Sequence, residues 1–133
     1  MTIEKAMSPN LVKVNPSDSV AEAAKVMEKH RIGCVLVEED NHIIGIVTER
    51  DILGKVVAQE KNYDIKVKEI MSSPVKSVDV GSSLEEANNL MLREHIRRLL
   101  ITKDGKPVGI VTLRDIANQL KYYFASKIQS REI

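Results

Sequence analysis

The sequence predicts an α+β fold built from two β-α-β-β-α repeats packed about a pseudo-twofold axis. Three observations carry that expectation. The heptad "GIVTERD" at residues 45 to 51 returns as "GIVTLRD" at 109 to 115. Sliding the chain on itself by 64 lays residues 6 to 53 over 70 to 117 without a gap, and about a third of the positions are identical. In each copy the hydrophobic period switches between 2 and 3.6 in the same order.

The elements follow in sequence. "LVKV" (11 to 14) and "VKSV" (75 to 78) read as short first strands flanked by Pro or Ser. Ser19-x-x-Glu22 and Ser83-x-x-Glu86 are helix starts, in which the Ser takes a free amide and the Glu reaches back. The first helix places Val20, Ala23, Ala24 and Met27 on one face, and its twin places Leu84, Ala87 and Met91 there. "CVLVE" and "LLIT" read as buried strands, "EEDNH" and "KDGK" as hairpin turns, and "IIGIVT" and "PVGIVT" as returning strands. A second helix closes each copy, with Ile52, Leu53, Val56 and Val57 apolar in the first and Ile116, Ala117 and Leu120 in the second. One copy of about 50 residues buries too little surface to stand comfortably alone, so two must pack together. The expected division is residues 1–60 for the first domain, 61–69 for a connecting segment, 70–122 for the second domain and 123–133 for a helical tail.

Composition narrows the function. With 133 residues, 43% of them hydrophobic and 29% charged, the chain has the make-up of a globular protein and not of a disordered one. Its longest apolar runs are too short to span a bilayer, and "MTIEKAMSPN" lacks the features of an export signal, so a cytoplasmic protein without membrane partners is expected. Cys34, the single cysteine, reads as a small strand residue. His30, His42 and His95 have no metal-ligand spacing, and neither a nucleophile-and-base arrangement nor a phosphate-binding Gly-Lys-Ser/Thr loop is present. No catalysis, catalytic residue or metal is expected. The net charge of +1 argues against bulk electrostatic binding of nucleic acid. That charge is unevenly spread: residues 1 to 64 hold 8 Lys and Arg against 11 Asp and Glu, a net of −3, and the remainder holds 12 against 8, a net of +4.

The order of elements, the gapless tandem copy and the paired Gly-x-x-Thr-x-x-Asp together resemble the cystathionine β-synthase (CBS) domain family. Two such domains form an intramolecular pair called a Bateman module. The resemblance covers residues 1 to about 125 and implies the CBS fold. It also implies a regulatory, energy- or metabolite-sensing role in which AMP, ADP, ATP or S-adenosylmethionine binds in clefts between the domains, with no cofactor required. Carried across residue by residue, the family's motif assigns ribose to Asp51 and Asp115 and the first phosphate to Thr48 and Thr112. The base edge would be read by backbone of Asn10, Leu11 and Val12, and of Pro74, Val75 and Lys76.

Chemistry makes these roles sensible. A carboxylate accepts only, and can hold a cis-diol with two charge-assisted hydrogen bonds of about 1.5 to 3 kcal/mol each. A Thr hydroxyl and the free amides of a helix start suit phosphate, and Gly45 and Gly109 would permit close backbone approach. The same Thr-x-x-Asp is also an ordinary capping box, so the motif alone leaves structure and binding open. The copies differ where phosphate charge should be met. The second has Arg97 and Arg98 where the first has Gly33 and Cys34. Family members often place basic side chains there, and the alternative is a solvated basic edge. Unequal clefts are therefore expected, with that of Thr112 and Asp115 the stronger. Arg50 and Arg114 are further phosphate candidates unless they pair with acids on their own helices.

Two other functions compete. Tyr122, Tyr123 and Phe124 in "KYYFASK" have faces on which bases can stack, which would make a nucleic-acid binder; their spacing with Leu120 suits packing or a dimer contact better. A ligand-free assembly module is the other alternative. CBS pairs commonly form homodimers through their helices, and the opposite charges of the two halves would favour a head-to-tail arrangement. The regulated partner is expected to be a separate protein.

Overall fold

Strands β1 (Lys13–Val14), β2 (Cys34–Glu39) and β3 (His42–Thr48) form one three-stranded sheet, in which β1 runs parallel to β2 and β2 antiparallel to β3. The second repeat reproduces it with β4 (Ser77–Asp79), β5 (Arg98–Lys103) and β6 (Lys106–Thr112). This computed structural model describes the backbone of residues 1–132 and the side chains of residues 1–128. Ile133, the end of the expected tail, lies outside the described residues.

Helices α1 (Val20–His30) and α3 (Leu84–Glu94) start where expected, with Ser19 Oγ accepting from the Glu22 amide at 3.1 Å and Ser83 Oγ from the Glu86 amide at 3.0 Å. Only that half of each capping box forms, since neither Glu side chain reaches back. The apolar faces bury Val20, Ala23 and Met27, and Leu84, Ala87 and Met91. Ala24 is a correction to the expected face: it is exposed, one step round the helix from Ala23. Both helices end on a left-handed residue, Arg31 at φ 55° and His95 at φ 56°, with the next amide (Ile32 or Ile96) returning to Met27 or Met91. The hairpin turns fall at Asp40–Asn41 and Asp104–Gly105, all four at positive φ, which matches the right-handed twist of the flanking strands.

The second helices diverge. In the first repeat α2 (Glu49–Ile52) is a single α-turn that widens into a π-turn over Leu53–Val57; in the second, α4 (Leu113–Glu132) continues as regular α-helix. Val56 and Ile116 are buried, but Leu53 is 53% and Val57 46% exposed, and Ala117 is exposed too. The expected apolar face of this element is thus only partly a core face.

Two short 3₁₀ turns, Ile3–Lys5 and Val67–Glu69, stand 64 residues apart and complete the cores crosswise. Val67 and Ile70 are buried with Val14, Val20, Ala23, Met27, Val35, Val37, Val47 and Val56. Ile3 is buried with Leu84, Ala87, Met91, Leu99, Ile101, Val111 and Ile116. The chain accordingly divides into a unit of residues 11–75 and a unit made of residues 1–10 with 76 onward. Residues 65–70 are therefore a core element of the first repeat as well as a connection. The segment around each 3₁₀ turn, residues 1–10 and 65–75, is a leader to the repeat that follows it, and each leader also pairs with the outer edge of a returning strand: Ser72 and Ile46 exchange backbone hydrogen bonds of 2.9 and 3.0 Å, and Ser8 and Ile110 exchange bonds of 2.8 and 2.9 Å.

Candidate functional site

In each unit the strand-to-helix junction gathers the motif residues. Thr48 is the N-cap of α2: its amide donates to Asp51 Oδ2 at 2.9 Å, and its Oγ1 accepts from the Asp51 amide at 3.2 Å. Thr112 and Asp115 repeat this, at 2.9 and 3.1 Å, at the start of α4. Each acid is half-buried and lies within the first turn of its helix, where the positive end of the helix dipole favours its charge. The capping reading is thus correct in structure, and it fixes the carboxylates in place.

The junctions are alike in backbone and unlike in decoration. The Leu113 amide donates to Arg97 O at 2.8 Å, and Arg98 is the cross-strand partner of Thr112. Directly opposed residues share a sheet face, with Cβ atoms about 4.5 to 5.5 Å apart, so Arg98 stands beside Thr112. In the first unit the Glu49 amide donates to Gly33 O at 3.0 Å, and Cys34 stands opposite Thr48. The pairs differ in hydrogen bonding too. Thr48 Oγ1 donates to Asp51 Oδ2 at 3.1 Å, a bond Thr112 does not form with Asp115.

Lys55 is a neighbour that sequence reasoning missed. Its Nζ lies 3.2 Å from Asp51 Oδ1 and 2.9 Å from Ile70 O. The spacing of four residues from Asp51 was the available signal. Arg50 and Arg114 are exposed on the first turns of their helices and pair with no acid among the described residues; exposed Arg97 and half-buried Arg98, at the start of β5, pair with none there either. The alternative of same-helix pairing for Arg50 and Arg114 is therefore corrected.

The backbone runs assigned to base contact lie at the ends of the units. Val12 O and Lys76 O accept from the Leu36 and Leu100 amides at 2.9 and 3.0 Å, so both belong to the strand ladders. The divisions between units fall at Asn10–Leu11 and Val75–Lys76, within the two runs; Pro74 is exposed, and Asn10 is exposed with its amide donating to Ser8 Oγ at 3.4 Å. The glycines have a different use from the expected ligand approach. A Cβ on Gly45 would collide with the Met71 side chain, and one on Gly109 would meet Met7 Sδ at 2.6 Å and Ser8 O at 2.9 Å. Each glycine makes room for a leader methionine. Among the described residues no group of three or more His, Cys, Asp or Glu is placed to hold a metal ion, and no helix is long and apolar enough to cross a membrane.

Two repeats of this topology, each carrying a capped Thr-x-x-Asp at the same junction, define a tandem domain pair. The chain belongs to the CBS domain family, which it matches twice, over residues 3–58 and 67–122. It is 42% identical over 123 residues to a protein of Methanopyrus kandleri, covering 90% of this chain but 62% of that one. The CBS domain-containing protein YhcV of Bacillus subtilis is 36% identical over 120 residues, 90% of this chain and 86% of YhcV. An inosine-5'-monophosphate dehydrogenase of Methanocaldococcus jannaschii is 33% identical over 126 residues, which are 93% of this chain and 24% of that enzyme. A crystal structure of a conserved Pyrococcus horikoshii protein superposes with a TM-score of 0.84 at 34% identity, covering 89% of this chain and 90% of that one. CBS domain pairs are generally regulatory, ligand-binding modules, and proteins made only of them are generally non-catalytic.

Proposed function

We propose that this CBS pair is an adenosine-ligand sensor that takes AMP, ADP, ATP or S-adenosylmethionine at Thr48/Asp51 and Thr112/Asp115 and modulates a separate partner protein. The observation that carries this reading is the duplicated, half-buried carboxylate held at the start of a helix by its own Thr. A fixed acceptor presents a preformed site to a ribose diol, so little ordering is lost on binding. Arg98 beside Thr112 adds a cation where a phosphate would lie, which favours the second site. Ligand that binds two arrangements of the module unequally shifts their populations, and the partner reads the shift.

Calorimetric titration with the four ligands, on protein stripped by unfolding and refolding, tests this. The expected result is two unequal sites, the tighter one weakened by Arg98→Ala and abolished by Asp115→Ala. Two equal sites indifferent to Arg98→Ala would refute the inequality, and no binding below millimolar would refute the sensor.

A homodimer through the helices is the second reading, favoured by one observation. Leu113, Leu120, Phe124 and Ile128 are 39, 38, 59 and 58% exposed and recur at helical spacing along α4. Tyr123 and Phe124 contact each other edge to face at 5.6 Å, and Tyr123 is 43% and Phe124 59% exposed, so their packing within the chain is slight. The opposite charges of the two halves favour a head-to-tail pair, which a head-to-head dimer in a crystal would refute.

A further inference from the structure

We infer that Lys55 is a built-in competitor for the Asp51 carboxylate and holds the first ribose grip weaker than the second; this rests on the ribose assignment proposed above. The acid is occupied by its own chain on both oxygens. Oδ2 accepts from the Thr48 amide at 2.9 Å and from its hydroxyl at 3.1 Å, and Oδ1 faces Lys55 Nζ at 3.2 Å. The ammonium is anchored from the other side as well, donating to Ile70 O at 2.9 Å. Lys55 thus ties the motif acid to the leader segment that completes the same unit.

The second unit keeps the Thr amide bond to the acid, Thr112 to Asp115 Oδ2 at 2.9 Å, and lacks the rest of this device. Gln119 takes the position of Lys55 and carries no charge. Its helix runs on as α where the first widens into the π-turn that carries Lys55. Asp115 makes no salt bridge among the described residues, and Thr112 leaves its hydroxyl proton uncommitted to the acid. A diol reaching Asp51 must share a partly neutralised carboxylate or displace the ammonium and leave the Ile70 carbonyl to water. A diol reaching Asp115 meets neither condition. Lys55 is 49% exposed on its side chain, so solvent screens the contact and its effect is moderate.

Titration of the wild type, Lys55→Gln and Gln119→Lys with adenosine and with AMP tests the inference, because adenosine isolates the ribose contribution from that of phosphate. Lys55→Gln should tighten the weaker adenosine site about two- to fivefold, the scale of an exposed ion pair, and Gln119→Lys should loosen the tighter one by a similar factor. Adenosine affinities unchanged in both variants overturn the inference while the ribose assignment stands. So does a Lys55→Gln protein that loses AMP affinity alone, since Lys55 would then be a phosphate contact. Absence of adenosine and AMP binding in all three proteins overturns the ribose assignment, and the inference with it.

Discussion

Gly109 and Gly45 occupy matched positions, but their surroundings make them unequal to substitution. A methyl group at Gly109 meets the Ser8 carbonyl oxygen at 2.9 Å as well as the Met7 side chain; at Gly45 the three nearest atoms all belong to the flexible Met71 side chain. Gly109→Ala should therefore cost about 1 to 3 kcal/mol in urea unfolding, and Gly45→Ala distinctly less. Removing a cap acts on stability and binding together. Thr112→Ala takes the acceptor from the Asp115 amide and should cost about 0.5 to 2 kcal/mol without ligand, and more with it. At this scale the sequence showed the Thr and Asp of each motif, because the heptads are near-identical and a capping box is a local pattern. It did not show what the glycines accommodate. Met7 and Met71 are visible as a repeated pair, but their contact with a strand far along the chain is tertiary.

The elements show where local rules sufficed and where packing overrode them. Arg31 and His95 end α1 and α3 in the left-handed region, which costs a residue with a Cβ more than it costs glycine. Arg31→Gly and His95→Gly should each raise stability by about 0.5 to 1 kcal/mol, after allowance for the looser unfolded chain. Thermal unfolding followed by circular dichroism checks both. The strands, hairpins and first helices were legible because each has its own period and turn chemistry. The π-turn at Leu53–Val57 was not, since an α-helical and a π-helical segment place the same apolar letters within one residue of each other. That element carries Leu53 and Val57, which face outward, and Lys55, which meets Asp51 and Ile70 together.

Across the whole molecule, the offset of 64 established that Ile3 and Val67 are equivalent, but an offset is silent on which copy's core each one enters. The structure gives each leader to the repeat that does not follow it directly in the chain. Ile3→Ala should cost about 2 to 5 kcal/mol, as for other fully buried aliphatic side chains. Amide hydrogen exchange should locate the damage in β5 and β6, more than a hundred sequence positions from much of it, and spare β2 and β3. Protection lost first in β2 and β3 would contradict the exchange of leaders. If α4 forms the dimer contact, Phe124→Asp should give a folded monomer by sedimentation. The charged group would sit on an exposed stretch of helix and leave the cores untouched.

The exchanged leaders also impose an order on synthesis. The unit of residues 11–75 has every one of its parts once residue 75 has left the ribosome. The other unit has residues 1–10 made well before the rest of it, and Ile3 then waits, an apolar side chain without a core, until Val111 and Ile116 emerge. A fusion partner attached ahead of Met1 is in consequence a load on the unit completed last, and a slow or stalled translation of the second repeat leaves the nascent chain sticky at Ile3.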